Sequence, residues 1–450
     1  MTSAEPHSQK PLARVTEALE KGTLGDVSRM LRKMEPAEAA HLLESSPPRS
    51  RQVLWQLIDD DLQGEVLNEL GYELQLEFLS ELEPAQVAQL TEGLDDDDVA
   101  DILQQLPDEV TFEVLEAMDH QDRARLEQVI FYADDTAGGL MNTDAITIRA
   151  DLTLDVVLRY LRRHETIPAA TDNLIVVNRD DRYVGLLPLR TLLVSDPSHS
   201  VRELMVTSQQ ALPVDMPDDE VARLFERNDW VSAPVVDADG RLLGRITIDD
   251  VVDVIREDAD HSFMAIAGLD EDEDTFAPVL RTAKRRTVWL AINLLTAFIA
   301  SGVINQFQAT IEKVVALAVL MPIVASMGGI AGTQTVTVLV RAMAMGQINA
   351  GNRTWLILRE AYVGIINGLV WAAIVATAAA LWFDSPTLGA IIAAAMVINL
   401  VTAGLSGAVL PLVLQRLKID PALAGGVVLT TVTDVVGFVA FLGLAATFYG

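Results

Sequence analysis

A chain of 450 residues with 64 acidic and 33 basic side chains and a net charge of −31 is longer than one hydrophobic core usually supports, so several domains are expected. The charge is divided unevenly: 59 of the acidic and 23 of the basic residues precede residue 281, leaving −36 there and +5 beyond. So acidic a region repels nucleic acid and attracts cations, and the lack of cysteine excludes disulfides and thiolate metal sites. The opening residues, MTSAEPHSQKPLARV, offer no apolar stretch of the kind a cleaved signal peptide needs.

Residues 14–130 read as short helices with a recurring phrase, seen at Met34-Glu35-Pro36-Ala37 and again at Leu82-Glu83-Pro84-Ala85. An acidic or proline-bearing first turn followed by an Ala/Leu stripe suits helices stacked as a superhelix, a common protein-binding scaffold. From residue 138 the pattern changes to short β runs alternating with helices, once over 138–200 and again over 201–262. The second copy carries Ala233–Val236, a turn Asp237-Ala238-Asp239-Gly240, and a strand ending Gly244-Arg245-Ile246-Thr247 before Asp249 and Asp250. These phrases resemble a tandem pair of CBS domains. That resemblance implies an adenosine nucleotide, ATP included, with Thr247 and Asp250 in the Thr/Ser-x-x-Asp form associated with the ribose. A hydroxyl at a strand end followed by an Asp cap also arises for structural reasons alone.

In the helix that follows, Asp250, Asp253 and Glu257 share one face, and Asp249 stands one turn before Asp253. Like charges so spaced repel by a few tenths of a kcal/mol each, which is met either by salt screening or by a bound cation. Asp218, Asp219, Asp229, Asp258, Asp260 and the run Asp95–Asp98 supply more hard oxygen ligands of the kind Mg²⁺ or Ca²⁺ takes.

Beyond residue 287 the chain offers apolar runs long enough to span a bilayer: 288–307, 314–345, 361–383, 388–414 and 422–448. The connections alternate between basic ones (Arg281 to Arg286; Arg341, Arg353 and Arg359; Arg416 and Lys418) and neutral or acidic ones. The positive-inside rule then predicts a cytoplasmic N-terminus and an external C-terminus. Asp434 lies within the last span with no basic residue nearby in sequence, where a carboxylate by default lines a pathway. Glu360, Arg341 and Arg359 fall nearer span ends, where snorkelling accounts for them. In the second span, Met327-Gly328-Gly329-Ile330-Ala331-Gly332-Thr333-Gln334 permits either close helix approach or an unwound stretch.

Together with Asp135-Thr136-Ala137-Gly138, Glu360, Asp420-Pro421-Ala422 and Thr430-Thr431-x-x-Asp434, these features resemble the MgtE family of Mg²⁺ channels over residues 14–450. The resemblance implies a multi-domain homodimer in a bacterial-type inner membrane. Its parts are an all-α N domain, an α/β CBS pair, a connecting plug segment over 263–286 with a helix near 275–284, and five membrane helices over 287–450. It implies that Asp434 binds the permeating ion, that Gly328, Gly329, Thr333 and Thr430 line the pore, and that Asp98, Asp229, Asp250, Asp253 and Asp258 bind regulatory Mg²⁺. Two positions depart from the family: Ile330 stands where Asn is usual, and Gly426-Val427 where Gly-Pro is usual. The rival readings are a CBS-regulated transporter of another divalent cation such as Co²⁺ or Mn²⁺, and a membrane-anchored nucleotide sensor that transports nothing. A metalloprotease is excluded, since no H-E-x-x-H occurs, and no enzymatic activity is expected.

Overall fold

The computed structural model describes residues 24–164, 166–266, 268–269 and 274–449. They form two compact units, one reaching to Asp258 and including Asp274–Ala277, the other holding the rest.

Nine short helices open the first unit among the described residues: α1 (Leu24–Leu31), α2 (Pro36–Glu44), α3 (Pro48–Trp55), α4 (Asp60–Asn68), α5 (Tyr72–Leu79), α6 (Pro84–Leu90), α7 (Asp96–Gln104), α8 (Asp108–Ala117) and α9 (His120–Val129). Proline occupies the first turn of α2, α3 and α6, where its missing N–H is no loss and its fixed φ suits helix entry. The repeated Glu-Pro phrase has a further cause: Glu35 with Glu38, and Glu83 with Gln86, form reciprocal capping boxes.

Two copies of one small sheet follow. In the first, β1 (Thr147–Arg149) runs parallel to β2 (Asn173–Val177), which pairs antiparallel with β3 (Tyr183–Pro188). In the second, β4 (Leu212–Pro213), β5 (Ser232–Val236) and β6 (Leu242–Thr247) repeat that order, with a register shift at the equivalent place, Val235/Val236 against Val176/Val177. Helices α10 (Leu154–Leu161), α11 (Leu189–Val194), α12 (Val201–Leu204) and α13 (Asp218–Asn228) complete them. The core is shared unequally. Leu43, Leu67, Leu103 and Val129 of the helical part join Val221, Phe225, Val235 and Ile246 of the second copy in one apolar cluster, whereas the first copy keeps its own around Leu154, Val157 and Val176.

The last helix of the second copy, α14 (Ile248–Ile266), runs beyond Glu257, where the acidic stripe ends. No proline or glycine interrupts it before Gly268, whose φ of +70° and bond to the Ala265 carbonyl at 2.9 Å close the helical run. The separate helix expected at 275–284 is not formed as such. Helix α15 starts at Val279, after Pro278, and continues unbroken to Asn305. Nothing between 279 and 301 would break it, so the basic cluster Arg281–Arg286 is the first part of the first long helix.

The second unit holds α15, the short α16 (Gln308–Lys313), α17 (Ala316–Ala344), α18 (Arg353–Trp382), α19 (Pro386–Arg416), a 3₁₀ turn (Pro421–Gly425) and α20 (Val427–Tyr449). Five of its helices are long and apolar enough to cross a membrane. Helix α19 is the centre, packed on α17, α18 and α20, while only Ala300 of α15 is buried. Close approach is made by small residues: a Cβ on Gly364 would come 2.8 Å from the Leu400 carbonyl oxygen, and one on Gly404 2.7 Å from that of Glu360. The glycine-rich stretch of α17 is likewise helical throughout, so its glycines serve close contact and not unwinding.

Candidate functional site

Carboxylates gather in two places, one in each unit. In the second unit α17 and α20 border an open cleft of about 480 Å³, lined by Ala325, Ser326, Gly329, Ile330, Thr333 and Gln334 from α17 and by Thr430 and Asp434 from α20. Their spacing follows from helix geometry, since 326, 329/330 and 333 recur once per turn on one face, as do 430 and 434 on the other helix. Asp434 is half-buried and supplies the cleft's single carboxylate. The Thr430 hydroxyl donates to the Gly426 carbonyl at 3.1 Å, leaving its oxygen as an acceptor.

Gly329, Thr333 and Thr430 lie in one cleft with Asp434, and Gly328 does not. One residue on is about 100° around the helix, which turns Gly328 inward against Asn399 of α19. Ile330 lies in the cleft, 57% exposed. Val427 opens α20, and the bend before it survives without proline, because Gly426 at φ −86° and ψ −118° separates the 3₁₀ turn from the helix. Glu360 does not snorkel. It is buried, bound to Arg359 Nη1 at 2.6 Å and accepting from the Thr335 hydroxyl at 3.3 Å.

The other gathering is in the first unit, where Asp95 is the N-cap residue of α7 and Asp96, Asp97 and Asp98 form its first turn. Carboxylate oxygens of Asp95, Asp97 and Asp98 lie within 4.8 Å of one another, the one such group among the described residues. Direct ligands of an octahedral Mg²⁺ stand at most about 4.2 Å apart, so little rearrangement would be needed to hold one. Asp96 points elsewhere, to Arg125 at 3.4 Å and to the Thr143 hydroxyl. Asp97 is buried with Oδ1 unbonded, and its carboxyl is pushed well above the usual range, by burial first and then by Asp250, Asp98 and Asp95. Burial raises Asp98 to about 6, with an Asn68 bond opposing and Asp95, Asp249 and Asp253 adding repulsion. Asp250 rises to about 7, through burial and then Asp249, against two bonds from Thr247. The acidic faces of α7 and α14 therefore repel one another.

Of the residues expected here, Asp98 and Asp250 take part, and Asp253 faces the group while pairing loosely with Arg256 at 3.8 Å. Asp229 and Asp258 are exposed. Asp229 has a different task, ending α13 in the left-handed conformation at φ 54°. Asp97 enters the sequence reading only within the run Asp95–Asp98, of which Asp98 alone is given a regulatory role there. Thr247, expected at a ribose, is 7% exposed, and its hydroxyl is taken up by Asp249 and by Asp250 at 2.9 Å. Strand β6 is held by Arg245, which is buried and bonded to both oxygens of Asp144 at 2.7 and 2.9 Å.

Comparison with known proteins gives this arrangement a family. Residues 321–444 match the MgtE model, described as a divalent cation transporter; 34–135 match the MgtE intracellular N domain; and 137–196 and 201–257 match the CBS domain. The magnesium transporter MgtE of Thermus thermophilus is 32% identical over 456 aligned positions, covering 97% of this chain and 98% of the relative. The chain belongs to the MgtE family. The Bacillus subtilis magnesium transporter MgtE is 30% identical, with 97% of both chains covered. A crystal structure of the cytosolic domain of the Mg²⁺ channel MgtE in complex with ATP is 34% identical to this chain. It covers 54% of this chain and 99% of its own, at a TM-score of 0.50. Membership and five membrane-length helices make the chain a multi-pass membrane protein of a transporter family.

Proposed function

We propose that this MgtE-family chain is a homodimeric Mg²⁺ channel closed by Mg²⁺ on its acidic side. The observation that carries the reading is Asp434, the single carboxylate of a cleft between two membrane-length helices. Mg²⁺ parts with its water reluctantly, and six waters at about 30 Å³ each occupy about 180 Å³, well within about 480 Å³. Asp434 would offset half of the ion's double charge and the Asp434 of a second copy the other half, while Ser326, Thr333 and Thr430 would accept hydrogen bonds from the bound water. A second copy related by a twofold axis would complete the path.

The acidic first unit is the regulator in this reading. Asp97, Asp98 and Asp250 repel until a divalent cation neutralises them, and the compact state so favoured closes the path. The basic residues at one end of α15, α18 and α19 support a cytoplasmic first unit and an external C-terminus. ATP at the CBS pair is supported by the solved relative bound to ATP. Because Thr247 and Asp250 already bond to each other, ATP titration by calorimetry should show a cost of Thr247→Ala only where that pair opens. Transport of another divalent cation is favoured by one observation, the apolar Ile330 in the cleft. Uptake in a Mg²⁺-transport-deficient bacterium, with fluxes of Mg²⁺, Mn²⁺, Co²⁺ and Ca²⁺ compared in proteoliposomes, decides between them. Growth rescue on low Mg²⁺ with Mg²⁺ the fastest ion supports the proposal; no rescue, with Co²⁺ or Mn²⁺ preferred, refutes it.

A further inference from the structure

Asn399 sits fully buried near the middle of α19. Its Nδ2 donates to the Val324 carbonyl of α17 at 2.8 Å, and its Oδ1 is buried without a hydrogen-bond partner. Glycines face it from both helices that border the cleft. A Cβ on Gly328 of α17 would fall 2.3 Å from Nδ2, and one on Gly437 of α20 would fall 2.8 Å from the same atom. An unpaired buried amide oxygen is costly, and an apolar residue of similar size avoids that cost. Folding alone therefore does not account for an amide here.

Its location does. Gly328 precedes Gly329 of the cleft, and Gly437 follows Asp434 by three residues. The amide thus lies behind the cleft, wedged between the two helices that form its walls and pinned to one of them by a hydrogen bond. Elsewhere the two helices meet directly, Gly332 of α17 lying against Leu429 of α20, whereas between Gly328 and Gly437 the amide stands in the gap. We propose that Asn399 is a positioning residue whose amide sets the spacing of α17 and α20, and so which hydrated cations pass Asp434. The inference rests on the reading of the cleft as the ion path.

The test measures Mg²⁺ and Co²⁺ flux in proteoliposomes for Asn399→Ala, Gly437→Ala and the double variant, beside Asp434→Ala. A lost buried hydrogen bond corresponds to about a fivefold change, and that is the expected shift in the Mg²⁺/Co²⁺ ratio for Asn399→Ala, at a thermal midpoint and elution volume close to wild type. Gly437→Ala should crowd the amide and shift the ratio as well. The double variant, in which the methyl at 437 fills part of the emptied space, should lie closer to wild type than either single. A folded Asn399→Ala with the wild-type ratio overturns the proposal. If that variant does not fold, the ratio in Gly437→Ala decides in its place, and failure of both to fold assigns the amide to structure and overturns it too. Undiminished flux in Asp434→Ala would refute the ion-path reading itself; abolished flux there with an unchanged ratio in the Asn399 variant refutes only the positioning role.

Discussion

The two units place aspartate in opposite settings. Around α7 and α14 several carboxylates are buried together, and burial first, with their mutual repulsion adding to it, raises Asp98 to about 6 and Asp250 to about 7. In the cleft, Asp434 is the single carboxylate among hydroxyls, an amide and small apolar groups. A crowded cluster binds a cation tightly because neutralisation relieves it, which suits a sensor. A lone charge beside a roomy cleft attracts a hydrated cation and lets it leave, which suits passage. One ion could serve both units because the number of carboxylates differs.

The sharpest way to break this contrast is to remove the lone charge. Asp434→Ala should abolish Mg²⁺ flux in proteoliposomes, and Asp434→Asn should leave a residue of it, since shape is kept and charge is not; wild-type flux from the alanine variant would contradict the assignment. Next in size is the cluster. Asp97→Asn keeps the shape and removes a buried carboxyl that resists ionising, so without divalent cation the variant should be more stable than wild type by a margin that grows as pH rises. The same change should weaken stabilisation by Mg²⁺, read from denaturation at several Mg²⁺ concentrations. An unchanged Mg²⁺ response would remove Asp97 from the site.

A smaller effect is the dependence on pH. Carboxyls whose folded-state pKa lies above the unfolded value contribute stability that is complete below about pH 4 and lost as pH rises through about 6 to 7. Cation-free protein should therefore unfold more easily at pH 8 than at pH 5, and Mg²⁺ should flatten that slope while releasing protons on binding near pH 7. A cation-free stability that rises over this window would contradict the crowding. Smallest of all, Val427→Pro should change stability by less than about 0.5 kcal/mol and leave flux intact. Residue 427 is the first of α20, and Gly426 already makes the bend. A marked loss of flux would show that the bend at Gly426 depends on the residue after it.

The long spans were legible because an apolar run of bilayer length has few other uses, and Asp434 stood out because nothing in sequence could pair with it. The choice between Gly328 and Gly329 was not legible. Adjacent helical residues face different neighbours, and only the packing of α19 shows which one meets Asn399. Asn399 itself gave no signal, being one amide in an apolar run whose meaning comes from glycines on two other helices. Glu360 was misjudged from its place near a helix end, although burial beside Thr335 and Arg359 decides its role. In the acidic region, the repeat of β-α units was plain. Four consecutive aspartates, however, look alike in sequence until α7 turns Asp97 inward and Asp96 toward Arg125.

The most direct measurement is Mg²⁺ flux through wild type and an Asp97→Asn/Asp98→Asn/Asp250→Asn variant as Mg²⁺ is raised on the side of the acidic unit. Wild-type flux should fall steeply as Mg²⁺ rises, and the variant should go on conducting at concentrations that close wild type. Equal inhibition of both, or none in either, would contradict a sensor and a path that read the same ion with different numbers of carboxylates.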